Sequence, residues 1–190
     1  MLQKKYKTGT PFFRSSTFEV AKLIFSNPNE THHIRGIEKE VKLSTTAILS
    51  AVEELAKYQI VIVEDTPLTK NVRANLNSES YRIYKMIFNL YLIKNHSFID
   101  SLIKGYNSPE AIVIFGSYAR GEDIKTSDVD ILIITSNEPD ERLQRTVASF
   151  EKEISRKVSI HTLPNLDKSS KEFKNNVANG ITLYGYLKVI

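Results

Sequence analysis

The chain has 190 residues, of which 41% are hydrophobic and 25% charged, which is enough for one medium domain or two small ones. It contains no cysteine, so disulfides, thiolate zinc sites and thiol catalysis are excluded. The first fourteen residues are basic and lack an apolar signal-peptide core, and no run reaches the length of a membrane span. A cytoplasmic protein is the expectation.

Positive charge is concentrated at one end of the sequence. Residues 1–96 hold 14 Lys and Arg against 9 Asp and Glu, whereas residues 97–190 hold 12 against 13. Four of the N-terminal cations lie in residues 1–14, which are interpreted as a basic tail: Lys4, Lys5, Lys7 and Arg14. The excess suggests a polyanionic partner, although it is small outside this tail.

Residues 15–80 contain three segments in which apolar residues recur with the period of an α-helix, followed by a strand-like apolar run. Ser15 and Ser16 are candidate caps for the first helix, and Ser44 is a candidate cap for the third. The expected elements are helices to about Ser26, over Ile34–Val41 and over Thr45–Tyr58, and then a strand over Ile60–Val63.

Three short helices followed by a strand and a turn resemble the winged helix-turn-helix domain of prokaryotic transcription regulators. The resemblance implies double-stranded DNA as a partner and transcription regulation as a role, with the third helix reading the major groove. The residues expected to contact DNA are Arg35, Lys39, Lys42, Ser44, Thr45, Thr46, Ser50, Lys70 and Arg73. The alternative is a packing or protein-contact module, which Glu53 and Glu54 favour because they would repel DNA.

Residues 81–108 are interpreted as a helical linker between two domains. Tyr81 to Ile93 carries ten apolar or aromatic residues in thirteen, interrupted by Arg82, Lys85 and Asn89. A helix that is apolar on nearly all sides is expected to be buried on more than one of them, so this segment is the predicted contact of a homodimer. A second helix is expected from Phe98 to about Tyr106.

Two apolar runs, Ala111–Phe115 and Ile131–Ile134, predict buried strands joined by a polar turn. The turn reads Gly116-Ser117-Tyr118-Ala119-Arg120-Gly121, followed by Ser127-Asp128-Val129-Asp130. Alternation along the second strand puts Asp128 and Asp130 on one face, with α-carbons roughly 7 Å apart. Carboxylates at this spacing can hold Mg²⁺, a hard cation that prefers carboxylate and phosphate oxygens.

This motif resembles the signature of the minimal nucleotidyltransferases in the DNA polymerase beta superfamily. The resemblance covers residues 109–190 and implies an α+β fold, a small mixed sheet flanked by helices, and binding of an NTP such as ATP. It assigns catalysis and metal binding to Asp128 and Asp130. It assigns nucleotide binding to Gly116, Ser117, Arg120, Gly121 and Ser127. Arg120 has a second option, which is to brace the acidic turn Glu122-Asp123. The alternative for the whole motif is a hairpin with an acidic surface turn.

Later elements complete the domain: a helix from Pro139 to about Ser155, a strand over Lys157–Leu163, a helix from Leu166 to Asn179 and a closing segment from Ile181. Active members of the superfamily carry a third carboxylate on this strand. Ser159 stands at the expected position here, or His161 if the register slips by two. The four histidines are otherwise interpreted as ordinary surface or core residues.

The missing acid leaves more than one function open. Active members use two Mg²⁺ ions. The loss of the third carboxylate implies a single ion here, and it implies slow or absent transfer of a nucleoside monophosphate. One alternative is a DNA-binding regulator whose nucleotidyltransferase-like domain senses a nucleotide or is vestigial. Another is an antitoxin-like protein with a toxin partner, because minimal nucleotidyltransferases often work beside a toxin.

Overall fold

The computed structural model describes residues 15–67 and 69–188. The predicted basic tail, residues 1–14, therefore lies outside the described residues. The chain divides into two compact units, with the boundary between Ser78 and Glu79. The second unit thus includes the two helices that the sequence suggested as a linker.

The first unit combines three helices with a three-stranded antiparallel sheet. Its elements are α1 (Ser16–Ser26), β1 (Thr31–His33), α2 (Ile34–Val41), α3 (Thr45–Lys57), β2 (Val61–Asp65) and β3 (Lys70–Ala74). The strands lie in the order β1-β3-β2, so β3 pairs with both others. The three predicted helices are confirmed, while β1 and β3 lacked the apolar runs that would have revealed them. The winged-helix interpretation itself stays a prediction.

Serine caps define two of these helices, as the sequence suggested. The Ser15 hydroxyl accepts a hydrogen bond from the Phe18 amide, and the Ser44 hydroxyl accepts one from the Ala47 amide at 3.3 Å. Each satisfies an amide that has no partner within its helix. The apolar stripe of α3, made by Ile48, Val52 and Leu55, is buried.

The second unit is a mixed four-stranded sheet with helices on its faces. Its elements are α4 (Glu79–Asn95), α5 (Phe98–Gly105), β4 (Ala111–Phe115), α6 (Gly116–Arg120), β5 (Val129–Ile134), α7 (Leu143–Ile154), β6 (Val158–Leu163), α8 (Lys171–Ala178) and β7 (Ile181–Gly185). The order is β6-β5-β4-β7, in which β5 and β6 run parallel and the other pairs antiparallel. The predicted α+β class with a mixed sheet is confirmed for this unit.

Both faces of the central strands are buried. Ile112, Ile114 and Ile131 pack with residues of α4, α5 and α7, while Val113 and Leu132 pack on the opposite face with residues of α8 and its preceding loop. Burial on both faces explains the continuous apolar runs of β4 and β5. Within residues 15–67 and 69–188, no helix combines the length and apolar character needed to cross a lipid bilayer.

Two helices begin later than the sequence pattern indicated. α7 begins at Leu143 rather than Pro139, because the preceding segment is held as a loop by the Asp140 amide, which donates to the Gly105 carbonyl at 2.8 Å. α8 begins at Lys171 rather than Leu166, because Ser170 caps it by accepting from the Phe173 amide at 3.1 Å.

Within the single chain, α4 is buried along one side, and the predicted homodimer contact on its other side stays a prediction. Its buried positions include Lys85 and Asn89, whereas Ile83, Tyr84 and Ile87 are each more than 40% exposed. The helix turns two of its polar residues inward because they belong to a buried polar network, and part of its apolar surface consequently faces outward.

Candidate functional site

Gly116 joins β4 to the short helix α6 and brings the backbone against a carboxylate. Its φ of 73° lies in the left-handed region, which favours glycine. A Cβ atom at this position would lie 2.5 Å from Oδ2 of Asp130. The glycine predicted from the motif is therefore required both by the turn and by the close approach of the Asp130 side chain.

The two acidic residues of the motif lie at the start of β5. Asp130 is the second residue of the strand and pairs with Phe115 across the sheet, and Asp128 immediately precedes the strand. Partial burial raises the pKa of Asp130, the charge of Asp128 raises it further, and His161 acts in the opposite direction. The two carboxylates are thus close enough for their charges to interact unfavourably, as in sites that bind cations.

The register of β6 against β5 shows which of its residues lies opposite Asp130. Its parallel register puts Ser159 opposite Asp130 and His161 opposite Leu132. The Ser159 hydroxyl donates to Oδ2 of Asp128 over a long 3.4 Å. Ser159 therefore lies beside both carboxylates, and its assignment to the position of the third acid stays a prediction.

His161 nevertheless belongs to the surroundings of the site. Its ring lies 5.5 Å from that of Phe115 and 5.7 Å from that of Phe173, measured between centroids. Interpreting it as an ordinary histidine overlooked its electrostatic effect on Asp130. The two-residue alternation that puts Ser159 and His161 on one face of β6 was the available signal.

The side chains that could hold Mg²⁺ are the two carboxylates of the motif. Asp128 and Asp130 supply carboxylate oxygens, and such an ion completes its shell with water and substrate phosphates. Among the described residues, no group of three or more histidine or acidic side chains is placed to share a metal ion. The hydroxyl of Ser159 is neutral and is a weaker ligand than the acid that it replaces.

Three other residues assigned to nucleotide binding brace the loop that carries the motif. Arg120 donates from Nε to the Glu122 carboxylate at 2.8 Å, which is the bracing option considered for it. Gly121 has φ of 69°, and a Cβ there would lie 2.2 Å from the Arg82 carbonyl oxygen, so it lets α6 pack closely on α4. Ser127 accepts a hydrogen bond from the Ile124 amide at 3.0 Å. Ser117 lies half-buried within α6.

A buried polar network beneath this loop was missed by sequence reasoning. Lys85 Nζ lies 3.0 Å from Oδ2 of Asp123, and both side chains are at most 1% exposed. Asn89 donates to Oδ1 of Asp123 at 2.7 Å and to the Tyr118 carbonyl at 2.9 Å. Arg156 lies 3.9 Å from the same carboxylate. The polar interruptions of an otherwise apolar α4 were the signal, because buried polar groups need partners.

Burial lowers the pKa of Lys85, while the adjacent Asp123 acts in the opposite direction. Burial and then the charge of Asp123 also raise the pKa of Tyr118 and Tyr81. The network ties α4 and the end of α7 to the loop that leads into Asp128, so it supports the position of the candidate site.

The DNA-binding candidates of the first unit fall into two groups. Arg35, Lys39 and Lys42 are exposed on and after α2, as DNA contact would require. The two cations of the β2–β3 hairpin already have acidic partners: Lys70 lies 2.5 Å from Asp65, and Arg73 Nε lies 3.1 Å from Glu64.

The hydroxyl residues at the start of α3 also have local roles. Ser44 caps the helix, and Thr45 donates to the Glu38 carboxylate, whereas Thr46 and Ser50 are exposed. Glu54 accepts a hydrogen bond from Thr17 of α1 at 2.5 Å. This contact engages one of the two glutamates that were expected to repel DNA.

Comparison with known proteins bears on the second unit. Residues 98–187 match the family model described as polymerase beta, nucleotidyltransferase. This part of the chain is a nucleotidyltransferase-like domain. Over 35 residues the chain is 51% identical to MJ1305 of Methanocaldococcus jannaschii (strain ATCC 43067), a protein named as a candidate protein adenylyltransferase. The match covers 18% of this chain and 24% of that protein, so the two share only a short segment.

Two solved structures resemble about half of the chain. One is a crystal structure of a mutant of the toxin–antitoxin MntA-HpeT, with 18% identity over 47% of this chain and 71% of that chain. The other is a toxin–antitoxin crystal structure with AMP-PNP, with 23% identity over 48% of this chain and 74% of that chain. The TM-score is 0.36 in both cases.

Proposed function

We propose that the second unit binds an NTP together with Mg²⁺ at Gly116, Ser117, Asp128 and Asp130, in a cytoplasmic protein. The observation that carries this proposal is the pair of interacting carboxylates beside the backbone of Gly116, within a nucleotidyltransferase-like domain. Partial burial of Asp130 near a second negative charge is unfavourable in the free protein, and a bound cation would relieve it.

The chemistry expected of this site is transfer of a nucleoside monophosphate. A hydroxyl oxygen attacks the α-phosphorus, the bond from that phosphorus to the α,β-bridging oxygen breaks, pyrophosphate leaves and the hydroxyl proton is lost. A bound Mg²⁺ supplies charge stabilisation for the phosphates. Asp128 and Asp130 would hold the triphosphate side, while Ser159 cannot provide the negative charge that favours loss of the proton. We therefore propose that transfer by this protein is slow or absent.

Calorimetric titration with ATP and with GTP tests the binding proposal. Binding should require Mg²⁺ and should be lost in a variant with Asp128→Asn and Asp130→Asn. A matched control carries Glu138→Gln and Asp167→Asn, which remove the same charge from exposed positions outside the site. Equal Mg²⁺-dependent binding by parent and site variant would refute the assignment of these carboxylates.

A DNA-binding regulator is the second candidate function. It is supported by the order of helices and strands in the first unit and by the exposed Arg35 and Lys39 of α2. In this proposal the second unit senses a nucleotide or is vestigial, and a homodimer places two copies of the first unit on one duplex. Duplex binding that falls steeply with salt, and falls further with Arg35→Ala and Lys39→Ala, would support it. Unchanged binding by this variant would reject the contact surface.

The two candidates are separated by incubation of the protein with a labelled NTP and Mg²⁺. A labelled product identifies an enzyme, whereas retention of the nucleotide without turnover identifies a sensor. An antitoxin-like role with a toxin-like protein partner remains a third proposal, which rests on the family resemblance of the motif.

A further inference from the structure

The buried side of α4 carries two polar residues between Tyr81 and Ile93. Lys85 is 1% exposed and Asn89 is 2% exposed, and because they lie four positions apart they project from the same face of the helix. Burying a charge and an amide costs free energy unless hydrogen bonds compensate for it. The contacts of these two side chains therefore show what the helix holds in place.

The amide of Asn89 joins two parts of the nucleotide-site motif. Its Nδ2 atom donates to the Tyr118 carbonyl at 2.9 Å and to Oδ1 of Asp123 at 2.7 Å. Tyr118 belongs to α6, the short helix that begins at Gly116. Asp123 lies in the loop between α6 and β5, five positions before Asp128. One side chain of α4 thus holds both the helix that starts the motif and the loop that leads to its carboxylates.

The Asp123 carboxylate is held by α4 at both of its oxygens. Asn89 donates to Oδ1, and Lys85 Nζ lies 3.0 Å from Oδ2. The carboxylate is 0% exposed, so water does not compete for these contacts. Because both partners belong to α4, the loop cannot shift along this helix without losing one of them.

A closed turn transmits the position of Asp123 to Asp128. The Ile124 amide donates to Oγ of Ser127 at 3.0 Å, and the Ser127 amide donates back to the Ile124 carbonyl at 3.0 Å. Asp128 is the next residue and immediately precedes β5. A displacement of Asp123 would therefore move this turn, and Asp128 with it.

The other part of the motif is fixed to the same helix. Tyr118, whose carbonyl accepts from Asn89, belongs to α6. A Cβ atom at Gly121, directly after α6, would lie 2.2 Å from the Arg82 carbonyl oxygen of α4. The end of α6 is therefore packed directly against the backbone of α4. The start of α6, at Gly116, takes its position from this packing.

We propose that Asn89 is a positioning residue of the nucleotide site, which sets the separation between the start of α6 and the carboxylates of Asp128 and Asp130. This inference rests on the proposed binding of an NTP with Mg²⁺, and it adds a residue outside the motif on which that binding depends. Mg²⁺ requires near-ideal geometry, with oxygen distances of about 2.0–2.1 Å. A small shift of the carboxylates relative to the backbone at Gly116 therefore lowers the affinity.

Calorimetric titration of the full chain with ATP and Mg²⁺ tests the proposal in Asn89→Leu. Leucine is close to asparagine in size but donates no hydrogen bond. The affinity should fall roughly 10- to 100-fold, the range usual for residues that orient metal ligands. The matched control is Leu102→Ala, which removes buried hydrocarbon from α5, a helix that carries none of the candidate site residues. It should lower the Tm and leave the affinity unchanged at temperatures where both variants are folded.

Hydrogen exchange of the nucleotide-free protein gives a second measurement. Amides in residues 116–128 should exchange faster in Asn89→Leu than in the parent, while Leu102→Ala should leave the exchange of this segment unchanged relative to the rest of the second unit. If Asn89→Leu does not fold, Asn89→Ser replaces it, because the shorter side chain cannot span both acceptors and should give the same two results.

Three results separate this inference from the proposed function. Equal ATP affinity in the parent and in a folded Asn89 variant would overturn the positioning role and leave the nucleotide site standing. Equal losses of affinity in the Asn89 variant and in Leu102→Ala would also overturn it, because general destabilisation would account for both. Failure of the parent itself to bind ATP with Mg²⁺ would refute the proposed function, and this inference with it.

Discussion

Replacing Asp123 by Asn should destabilise the second unit strongly. The same substitution of an exposed acid whose cationic partner is equally close should cost far less. Asp123 is 0% exposed, and Asn has almost the same shape, so the change removes charge without leaving a cavity. Two buried cations, Lys85 at 3.0 Å and Arg156 at 3.9 Å, would lose their anion. Breaking a buried ion pair by removing one partner typically costs about 3–5 kcal/mol, because the remaining charge is left uncompensated.

The surface pair Lys70–Asp65 is the matched control. Its atoms are closer, at 2.5 Å, but its side chains are 43% and 71% exposed, so Asp65→Asn should cost only about 0–1 kcal/mol. Lys85→Met should cost less than Asp123→Asn, because Asp123 keeps Arg156 and the amide of Asn89. Adding Lys85→Met to the Asp123→Asn variant should recover part of the loss.

Thermal and urea unfolding of the full chain measure these effects. A loss of 3 kcal/mol corresponds to a fall in Tm of about 12 °C or more for a domain of roughly 100 residues. In the Asp123→Asn variant the pKa of Lys85 falls further below its ordinary 10.5, so the unfolded state binds more protons in the window between the two values. Stability should therefore recover as the pH rises towards 10.5. A loss no larger than that of Asp65→Asn would refute the reasoning.

Three further predictions concern the sites. Ser159→Asp should strengthen Mg²⁺ binding and raise any transfer activity, whereas the uncharged control Ser159→Asn should do neither. Brisk transfer by the unmodified protein would show that the missing carboxylate is supplied elsewhere. Asp130→Asn should raise the Tm of the nucleotide-free protein slightly, because it removes a partly buried charge that His161 offsets only in part, while Asp128→Asn at its exposed position should change the Tm less. If α4 forms the proposed homodimer, Ile83→Glu should give a monomer by light scattering at micromolar concentration, and a monomeric parent would reject the dimer.

The local chemistry of the sequence determined most of the secondary structure and the central motif. Ser44 marks the start of α3, and the apolar runs at Ala111–Phe115 and Ile131–Ile134 belong to adjacent strands, because capping and burial act over a few residues. Gly116, Asp128 and Asp130 were identified for the same reason: a glycine turn and alternating carboxylates on a strand are visible in the order of residues.

Only the tertiary structure decided what depends on contacts between distant segments. The parallel register of β5 and β6 put Ser159 opposite Asp130 and His161 opposite Leu132, because strand pairing is set by packing across the sheet. Lys85 and Asp123 are 38 positions apart in the sequence, and no periodicity shows that they form a buried pair. Lys125 of the loop before β5, Lys152 of α7 and Lys157 just before β6 likewise line one surface, because folding brings the ends of these elements together.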